Sequence, residues 1–157
     1  QKRLWVATYG GLYQYSPKGE KQVFYGGTEA GQLSSGDVNM IAQDDQGVVW
    51  VATEQGSLCR WDQANNRFDA IGKRHHLPPS IKGILCTRSG GLWLSSNEGL
   101  YYFEPQKGEW KSWNKLDGLQ ANAFFLKAVY ADSKGRLFMG GIRGFNIFYS
   151  DSMEKKS

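Results

Sequence analysis

The chain has few of the residues that mark several common protein classes. Its 157 residues include two Cys, two His and four Pro. No apolar run approaches the roughly 18 residues that a membrane-spanning helix needs. The P-loop, G-x-S-x-G, H-E-x-x-H and CxxC motifs are all absent, so the sequence predicts neither a cofactor nor a metal. The adjacent pair His75-His76 is interpreted as an exposed loop, because neighbours on a strand point to opposite faces and seldom share a metal.

The charge pattern does not indicate nucleic-acid binding. The net charge is +4, and Lys and Arg are scattered rather than clustered. We therefore expect a solvated surface with no direct nucleic-acid contact. Cys59 and Cys86 lie at different places in the sequence pattern described below. Free buried thiols are favoured for them, and a disulfide formed in an oxidising compartment is the alternative.

Glycine and aromatic residues are abundant instead. The chain has 20 Gly and 14% aromatic residues, which favours an all-β fold with tight hairpins. One short motif also occurs four times, with its aromatic residue 45, 43 and 45 positions apart. The copies are Leu4-Trp5-Val6-Ala7-Thr8, Val49-Trp50-Val51-Ala52-Thr53, Leu92-Trp93-Leu94-Ser95-Ser96 and Leu137-Phe138-Met139-Gly140-Gly141. A period of 40 to 50 residues made of short strands is typical of a β-propeller with one repeat per blade.

Each repeat reads as four short strands in meander order, A to D. The predicted blade units are roughly 1–27, 33–71, 77–113 and 119–150, followed by a disordered tail over 152–157. This is a partial β-propeller of about three and a half four-stranded antiparallel blades, whereas closed propellers carry four to eight. The chain opens directly on a strand, so we interpret it as a piece of a longer protein. Its free blade faces predict self-association of blades.

Details within the repeat predict turns and packing. A Gly follows each motif by three residues and should supply a positive φ in a tight hairpin, at Gly11, Gly56, Gly99 and Gly144. The second unit has one extra residue, Ser57, for which we expect a small bulge. Asp44 and Asp132 are expected to close the A–B turns through bonds to their own backbone. The bulky repeat residues Trp5, Trp50 and Trp93 are interpreted as packing between blades.

The repeat resembles a known one. It has the pattern D-x-x-G-x-L-W-[VI]-[AG]-T-x-x-G-L-x-x-[YFW] of the two-component regulator propeller, seen in residues 45–53 and 4–15. That family's final repeat has a variant form, and residues 117–124 and 132–148 match it, ending in Gly144-Phe145-Asn146-Ile147-Phe148. The resemblance covers essentially the whole chain. One departure is Tyr149-Ser150-Asp151, where members usually carry an acidic-proline pair, so we expect an irregular end to the last blade.

The resemblance implies a function. In this family such repeats build the periplasmic sensor of hybrid two-component systems. Two seven-bladed propellers precede an immunoglobulin-like domain, a membrane helix and a histidine kinase. Many members sense oligosaccharides and switch on genes for polysaccharide use. The chain would then be the C-terminal half of the second propeller, non-catalytic itself, in a parent anchored to the inner membrane.

Propeller geometry suggests where a ligand would bind. The B–C and D–A loops share one face, and loops on a rigid scaffold commonly carry binding residues. A sugar needs an aromatic platform and planar polar groups. Trp113 aligns with Gly27 and Ile71, so the repeat does not dictate its size. The candidate ligand-binding residues are Trp113, Arg143, His76, Arg74, Asn114, Asn97 and Tyr9. Arg74 and Arg143 would favour an acidic sugar.

Two other functions stay open at this point. Propeller lyases and glycosidases also repeat segments of this kind, although they need an acid and a base near the ring axis and no convincing pair is found. A scaffold for protein–protein contacts is the other alternative. Binding without turnover would distinguish a sensor from both.

Overall fold

The computed structural model describes residues 2–154, the last of them, Glu154, by its backbone alone. The fold consists of four antiparallel sheets. Blade 1 contains β1 (Leu4–Thr8), β2 (Gly11–Tyr15) and β3 (Lys21–Phe24). Blade 2 contains β4 (Val38–Gln43), β5 (Val49–Thr53), β6 (Ser57–Asp62) and β7 (Arg67–Asp69). Blade 3 contains β8 (Ile81–Cys86), β9 (Leu92–Ser96), β10 (Leu100–Glu104) and β11 (Glu109–Trp113). Blade 4 contains β12 (Phe124–Ala131), β13 (Arg136–Gly141) and β14 (Gly144–Tyr149). The predicted partial propeller is confirmed.

Within each blade the strands pair in sequence order, so every blade is a meander. The first strands of blades 2, 3 and 4, which are β4, β8 and β12, lie beside one another and form the inner side of the arc. Three short helical segments connect or end the blades: α1 (Ile71–Arg74), a 3₁₀ turn (Lys115–Asp117) and α2 (Ser150–Glu154). Among the described residues, none of these helices has the length and apolar character that crossing a bilayer requires.

Neighbouring blades are joined by apolar clusters. We call the side of a blade that meets the preceding blade its front face, and the opposite side its rear face. The rear faces present the repeat aromatics together with a leucine of the next strand on the same side of the sheet, at Trp5 and Leu12, Trp50 and Leu58, and Trp93 and Leu100. The front faces present paired aliphatic residues, at Val49 and Val51, Leu92 and Leu94, and Leu137 and Met139. The repeat tryptophans therefore pack between blades, as predicted.

Aromatic rings cross two of these junctions. The Trp5 ring of blade 1 lies edge-on to Trp61 of blade 2, with centroids 5.2 Å apart. The Trp93 ring of blade 3 meets Phe148 of blade 4 in the same way at 4.9 Å. Edge-to-face aromatic pairs add stability beyond the apolar area that they bury. Each blade thus depends on its neighbour to cover its largest side chains.

The turns follow the predicted chemistry in most blades. Gly11, Gly99 and Gly144 all have positive φ, and a Cβ at Gly11 would lie 2.7 Å from the carbonyl oxygen of Phe24. Asp44 Oδ1 accepts hydrogen bonds from two backbone amides of its own turn, 2.9 and 3.0 Å away. Asp132 Oδ1 does the same at 2.8 and 2.9 Å. Cys59 and Cys86 are free thiols.

Three local expectations are wrong. Gly56 does not take the expected positive φ, which its neighbours Gln55 and Ser57 take instead. The extra residue of blade 2 widens the β5–β6 turn rather than forming a bulge, since Thr53 pairs directly with Ser57 and Ser57 itself takes a positive φ of 64°. Residues 152–154 belong to α2 rather than to a disordered tail, and residues 155–157 lie outside the described residues. Ser150, the first residue of α2, accepts a 2.6 Å hydrogen bond from Trp93 Nε1, which places the helix against blade 3.

Candidate ligand-binding rim

The inner strands are irregular at one common level. In β4 the pairing shifts between Val38 and Met40, which leaves Asn39 without an opposite residue. In β8 the shift between Ile81 and Gly83 leaves Lys82 in the same situation. In β12 the shift spans residues 125–128. Bulges re-aim side chains and are frequent at functional sites. We call this level, at the B–C turn end of the three strands, the inner rim.

Glu54 of the β5–β6 turn is the centre of a polar cluster at the inner rim. Its Oε2 accepts hydrogen bonds from Lys82 Nζ at 2.7 Å and from Asn39 Nδ2 at 2.9 Å. Its Oε1 accepts one from Ser80 Oγ at 2.8 Å. Asn39 Nδ2 also donates to the backbone oxygen of Ile81 at 2.9 Å. Because Glu54 and Asn39 belong to blade 2 and the other three to blade 3, the cluster bridges the two blades.

The environment makes Glu54 a strong acid. Partial burial alone would raise the pKa of its carboxyl group. Hydrogen bonds from Lys82, Asn39 and Ser80, together with the Lys82 charge, outweigh that effect and lower the pKa to about 2. Glu54 is therefore ionised at neutral pH and has no proton to give as a general acid.

The same rim carries exposed apolar side chains. Phe125 is the first unpaired residue of the irregular stretch in β12, and its side chain is 56% exposed. Leu126 beside it is exposed as well. The inner strands approach closely just below, because a Cβ at Gly83 of β8 would overlap the side chain of Val129 in β12. The inner rim therefore combines an accessible aromatic ring with fixed polar groups, which is the pair of features that sugar binding requires.

Trp113 is not available to a ligand, and its selection as the leading candidate is corrected. Trp113 is 6% exposed and packs against Trp93 in a tilted arrangement with ring centroids 5.1 Å apart. Pairing explains the error: Trp113 lies opposite Leu100, as Phe24 lies opposite Leu12 at the same place in blade 1. The alignment of the repeats by sequence matches Trp113 with Gly27 of blade 1, whereas strand pairing matches it with Phe24, three residues earlier. Large residues at this position fill the junction between blades.

The other predicted residues are spread over the loops. Asn114 Oδ1 accepts a 2.7 Å hydrogen bond from the amide of Leu116, so this side chain caps the 3₁₀ turn. Arg143 is exposed in the β13–β14 turn, and its backbone amide is held by Gln120 Oε1 at 2.8 Å. Arg74 lines a cavity of about 310 Å³ that none of the other six predicted residues lines. Three further side chains are exposed at separate loops: Tyr9, His76 and Asn97.

Sequence reasoning missed the polar cluster. Glu54 lies in a B–C turn, on the face where a ligand was expected, but none of Glu54, Asn39, Ser80 and Lys82 was among the predicted binding residues. Asn39 and Lys82 both follow the first paired residue of an inner strand, and that shared repeat position is the signal that would have identified them. Within residues 2–154, no group of three or more His, Cys, Asp or Glu side chains is arranged to hold a metal.

Comparison with known protein families matches one of the repeats. Residues 32–55 match the model of the family described as two component regulator propeller. This segment is therefore similar to one repeat of the two component regulator propellers. The matched segment runs from the D–A loop through β4 and β5 and includes both Asn39 and Glu54 of the inner rim.

Solved structures share the fold. The extracellular domain of the B. thetaiotaomicron hybrid two component system BT3049 superposes with a TM-score of 0.81 at 23% identity, over 98% of this chain and 21% of that chain. The corresponding domain of BT4673 from the same organism gives 0.75 at 22% identity, over 96% and 20%. The chain thus spans about a fifth of these structures. Virginiamycin B lyase of Staphylococcus aureus superposes at 0.62 with 9% identity, over 95% and 49%.

One curated protein matches over a short segment. Cryptochrome-1 of Anopheles gambiae is 36% identical over 66 residues, which cover 36% of this chain and 12% of that protein. The match is too partial to carry a functional assignment. The two component regulator propeller repeat and the propeller fold remain the informative similarities.

Proposed function

We propose that this chain is a ligand-binding part of the extracytoplasmic sensor of a two-component system. The observation that carries the proposal is the two component regulator propeller repeat over residues 32–55, which contains the polar centre of the inner rim. The extracellular domains of two hybrid two component systems have the same fold, which supports an extracytoplasmic location. The parent protein would be anchored in the inner membrane and pass the signal from the periplasm to a histidine kinase and then to transcription.

The ligand that suits the inner rim is an oligosaccharide. Phe125 offers an exposed ring on which the apolar face of a pyranose can stack. Lys82, whose side chain is 16% exposed, supplies a fixed polar group at the same level of the neighbouring inner strand and is held in place by Glu54. Exposed side chains of the surrounding turns, above all Arg143 and Asn97, extend the surface for a longer ligand. The arrangement needs no catalytic group, since recognition by a sensor ends with binding.

Binding would act on signalling through the blade 2–blade 3 junction. The Glu54–Lys82 ion pair crosses that junction. A ligand that contacts Lys82 in only one arrangement of the two blades would favour that arrangement. A ligand shifts an equilibrium only through such differential affinity.

Isothermal titration calorimetry with a panel of neutral and acidic oligosaccharides tests the proposal. We expect one class to bind without turnover, and Phe125→Ala to weaken its binding at least tenfold. The matched control is Tyr130→Ala, an exposed aromatic change in the same strand but away from the inner rim. Equal loss in the two variants would contradict the site. Formation of a shortened or unsaturated product would instead indicate an enzyme, and absence of binding to every sugar would favour a protein-binding scaffold.

A further inference from the structure

A cavity of about 310 Å³ lies where blade 1 connects to blade 2. One wall belongs to the connection between β3 and β4, and the other is formed by the end of β7 together with α1. We call it the loop cavity, and it is lined by residues 27–32, 34, 67–70, 73 and 74. Both walls belong to the interior of the chain, and no residue of the polar cluster at the inner rim lines it.

The wall from the β3–β4 connection is fixed by hydrogen bonds. The amide of Gly27 donates to the backbone oxygen of Leu33 at 3.0 Å, and the amide of Phe68 in β7 donates to that of Gly31, also at 3.0 Å. Gly31 has a φ of 89°, and a Cβ there would lie 3.1 Å from Cβ of Arg67. The loop cavity therefore has its shape before a ligand arrives, which reduces the entropy that binding costs.

The opposite wall carries positive charge without a partner. Lys73 and Arg74, in the last turn of α1, are exposed and form no ion pair with any described residue. Asp69 lies between the two walls, but its Oδ2 is 3.0 Å from Arg60 and is thereby neutralised. Glu29 is the one lining carboxylate outside an ion pair in the described part of the chain. Two unpaired cations thus face one unpaired anion, and the cavity favours a ligand with a negative charge.

The size and the polar groups of the loop cavity narrow the class of ligand. A guanidinium binds a carboxylate bidentately, and an ammonium group adds a point charge beside it. The volume lies at the lower end of the range for small-molecule pockets, which suits one sugar ring. Thr28 and Glu29 add a hydroxyl and a carboxylate that can bond to sugar hydroxyl groups.

We propose that the loop cavity binds one acidic sugar unit, with the carboxylate of the sugar on Arg74 and Lys73 and its hydroxyl groups against Thr28 and Glu29. A neutral sugar would leave both cations without a partner, and a small anion would leave most of the volume unfilled. The site is separate from the inner rim. The inference rests on the proposed sensor function in taking a sugar as the ligand, and it adds the charge that this sugar carries.

An NMR titration of the isotope-labelled chain with sodium D-glucuronate tests the proposal, with D-glucose and sodium acetate as separate arms at equal ionic strength. We expect saturable shifts of the backbone amides that line the cavity, above all those of Gly27, Gly31 and Ala70. Glucose and acetate should each bind about tenfold more weakly, because each lacks one half of the contacts.

Arg74→Gln removes the charge and keeps most of the side-chain length, so it should weaken glucuronate binding about tenfold. Arg88→Gln is the matched control, because Arg88 is exposed in the β8–β9 turn and does not line the cavity. It should leave the affinity unchanged. Amide signals outside the cavity should be the same in both variants as in the unaltered chain, which shows that the fold is kept.

The outcomes separate this inference from the proposed function. Loss of the shifts in Arg74→Gln, with Phe125→Ala and Arg88→Gln unaffected, supports the loop cavity whether or not an oligosaccharide binds at the inner rim. Glucuronate shifts that centre on the inner rim and vanish in Phe125→Ala would overturn the loop cavity and leave the proposed function standing. Equal affinity for acetate and glucuronate, or no shift with glucuronate, would also overturn the inference.

Discussion

Replacing Glu54 by Gln should destabilise the fold in a pH-dependent manner. The variant keeps the size of the side chain but removes the charge that faces Lys82 Nζ at 2.7 Å. Lys82 is 16% exposed in its side chain, so the substitution leaves a largely buried ammonium group without its counterion. Leaving one partner of a buried pair uncompensated is more costly than the pair itself is stabilising.

The magnitude follows from the pKa of Glu54. Its pKa is lowered from 4.5 to about 2, and each unit corresponds to about 1.4 kcal/mol, which makes the upper limit about 3 kcal/mol. The Glu54 side chain is 33% exposed, so solvent screens part of this interaction. We therefore expect a loss of about 1–2 kcal/mol in the free energy of unfolding at pH 7.

The sign of the pH dependence is determined by the direction of the shift. Because the pKa of Glu54 is lower in the folded state than in the unfolded state, the ionised carboxylate contributes its full stabilisation above about pH 4.5. That contribution is lost as the pH falls from about 4.5 to about 2. The difference in stability between the unaltered chain and Glu54→Gln should therefore be largest near neutral pH and shrink through this window.

Urea unfolding followed by tryptophan fluorescence at several pH values measures this difference. Glu98→Gln is the matched control, since Glu98 occupies the corresponding turn of blade 3, is exposed and makes no salt bridge among the described residues. It should change the free energy of unfolding by less than about 0.5 kcal/mol at any pH. A Glu54→Gln variant as stable as the control, or a difference that does not vary with pH, would refute the reasoning.

Three further outcomes are expected. Trp93→Ala should lower the free energy of unfolding by about 3–5 kcal/mol in chemical denaturation, because its fully buried ring joins blades 3 and 4. Trp113→Ala should destabilise the same junction by a similar amount; a variant with unchanged stability and lost ligand binding would instead restore Trp113 as a binding residue. Burial raises the pKa of the Cys86 thiol to about 11 and also raises the pKa of the Cys59 thiol. Both thiols should therefore react with a disulfide reagent at pH 8 at least tenfold more slowly than free cysteine. Reaction of the native chain at the rate of free cysteine would contradict this.

The blade architecture could be predicted from the sequence because the same local pattern of residues recurs in each repeat. Trp5, Trp50 and Trp93 recur with their flanking aliphatic residues, and alternation along a strand assigns the two sets to opposite faces. Asp44 and Asp132 indicate their turns through bonds to their own neighbours. All of these are local interactions between residues a few positions apart.

Only part of the candidate site could be predicted from the sequence. The position of Glu54 on the loop face follows from its turn, but its partners do not. Lys82 is 28 residues away, and it reaches Glu54 because an inner strand slips by one residue and turns its side chain toward the neighbouring blade. The error at Trp113 has a related cause. Because β3 is displaced by three residues relative to the alignment of the repeats, Phe24 and not Gly27 is the residue of blade 1 that corresponds to Trp113. Strand pairing decides this correspondence, and sequence spacing does not.

The amino-acid order by itself determined the number of strands, most of their turns and the two apolar faces of each blade, since these depend on side-chain alternation and short-range hydrogen bonds. Tertiary structure alone decided which side chains meet across a junction. The bulges at Asn39 and Lys82 bring polar groups of two blades onto one carboxylate, and the packing of blade 4 buries Trp113. Those contacts join residues far apart in the chain, and their geometry depends on how far each blade is rotated against the next.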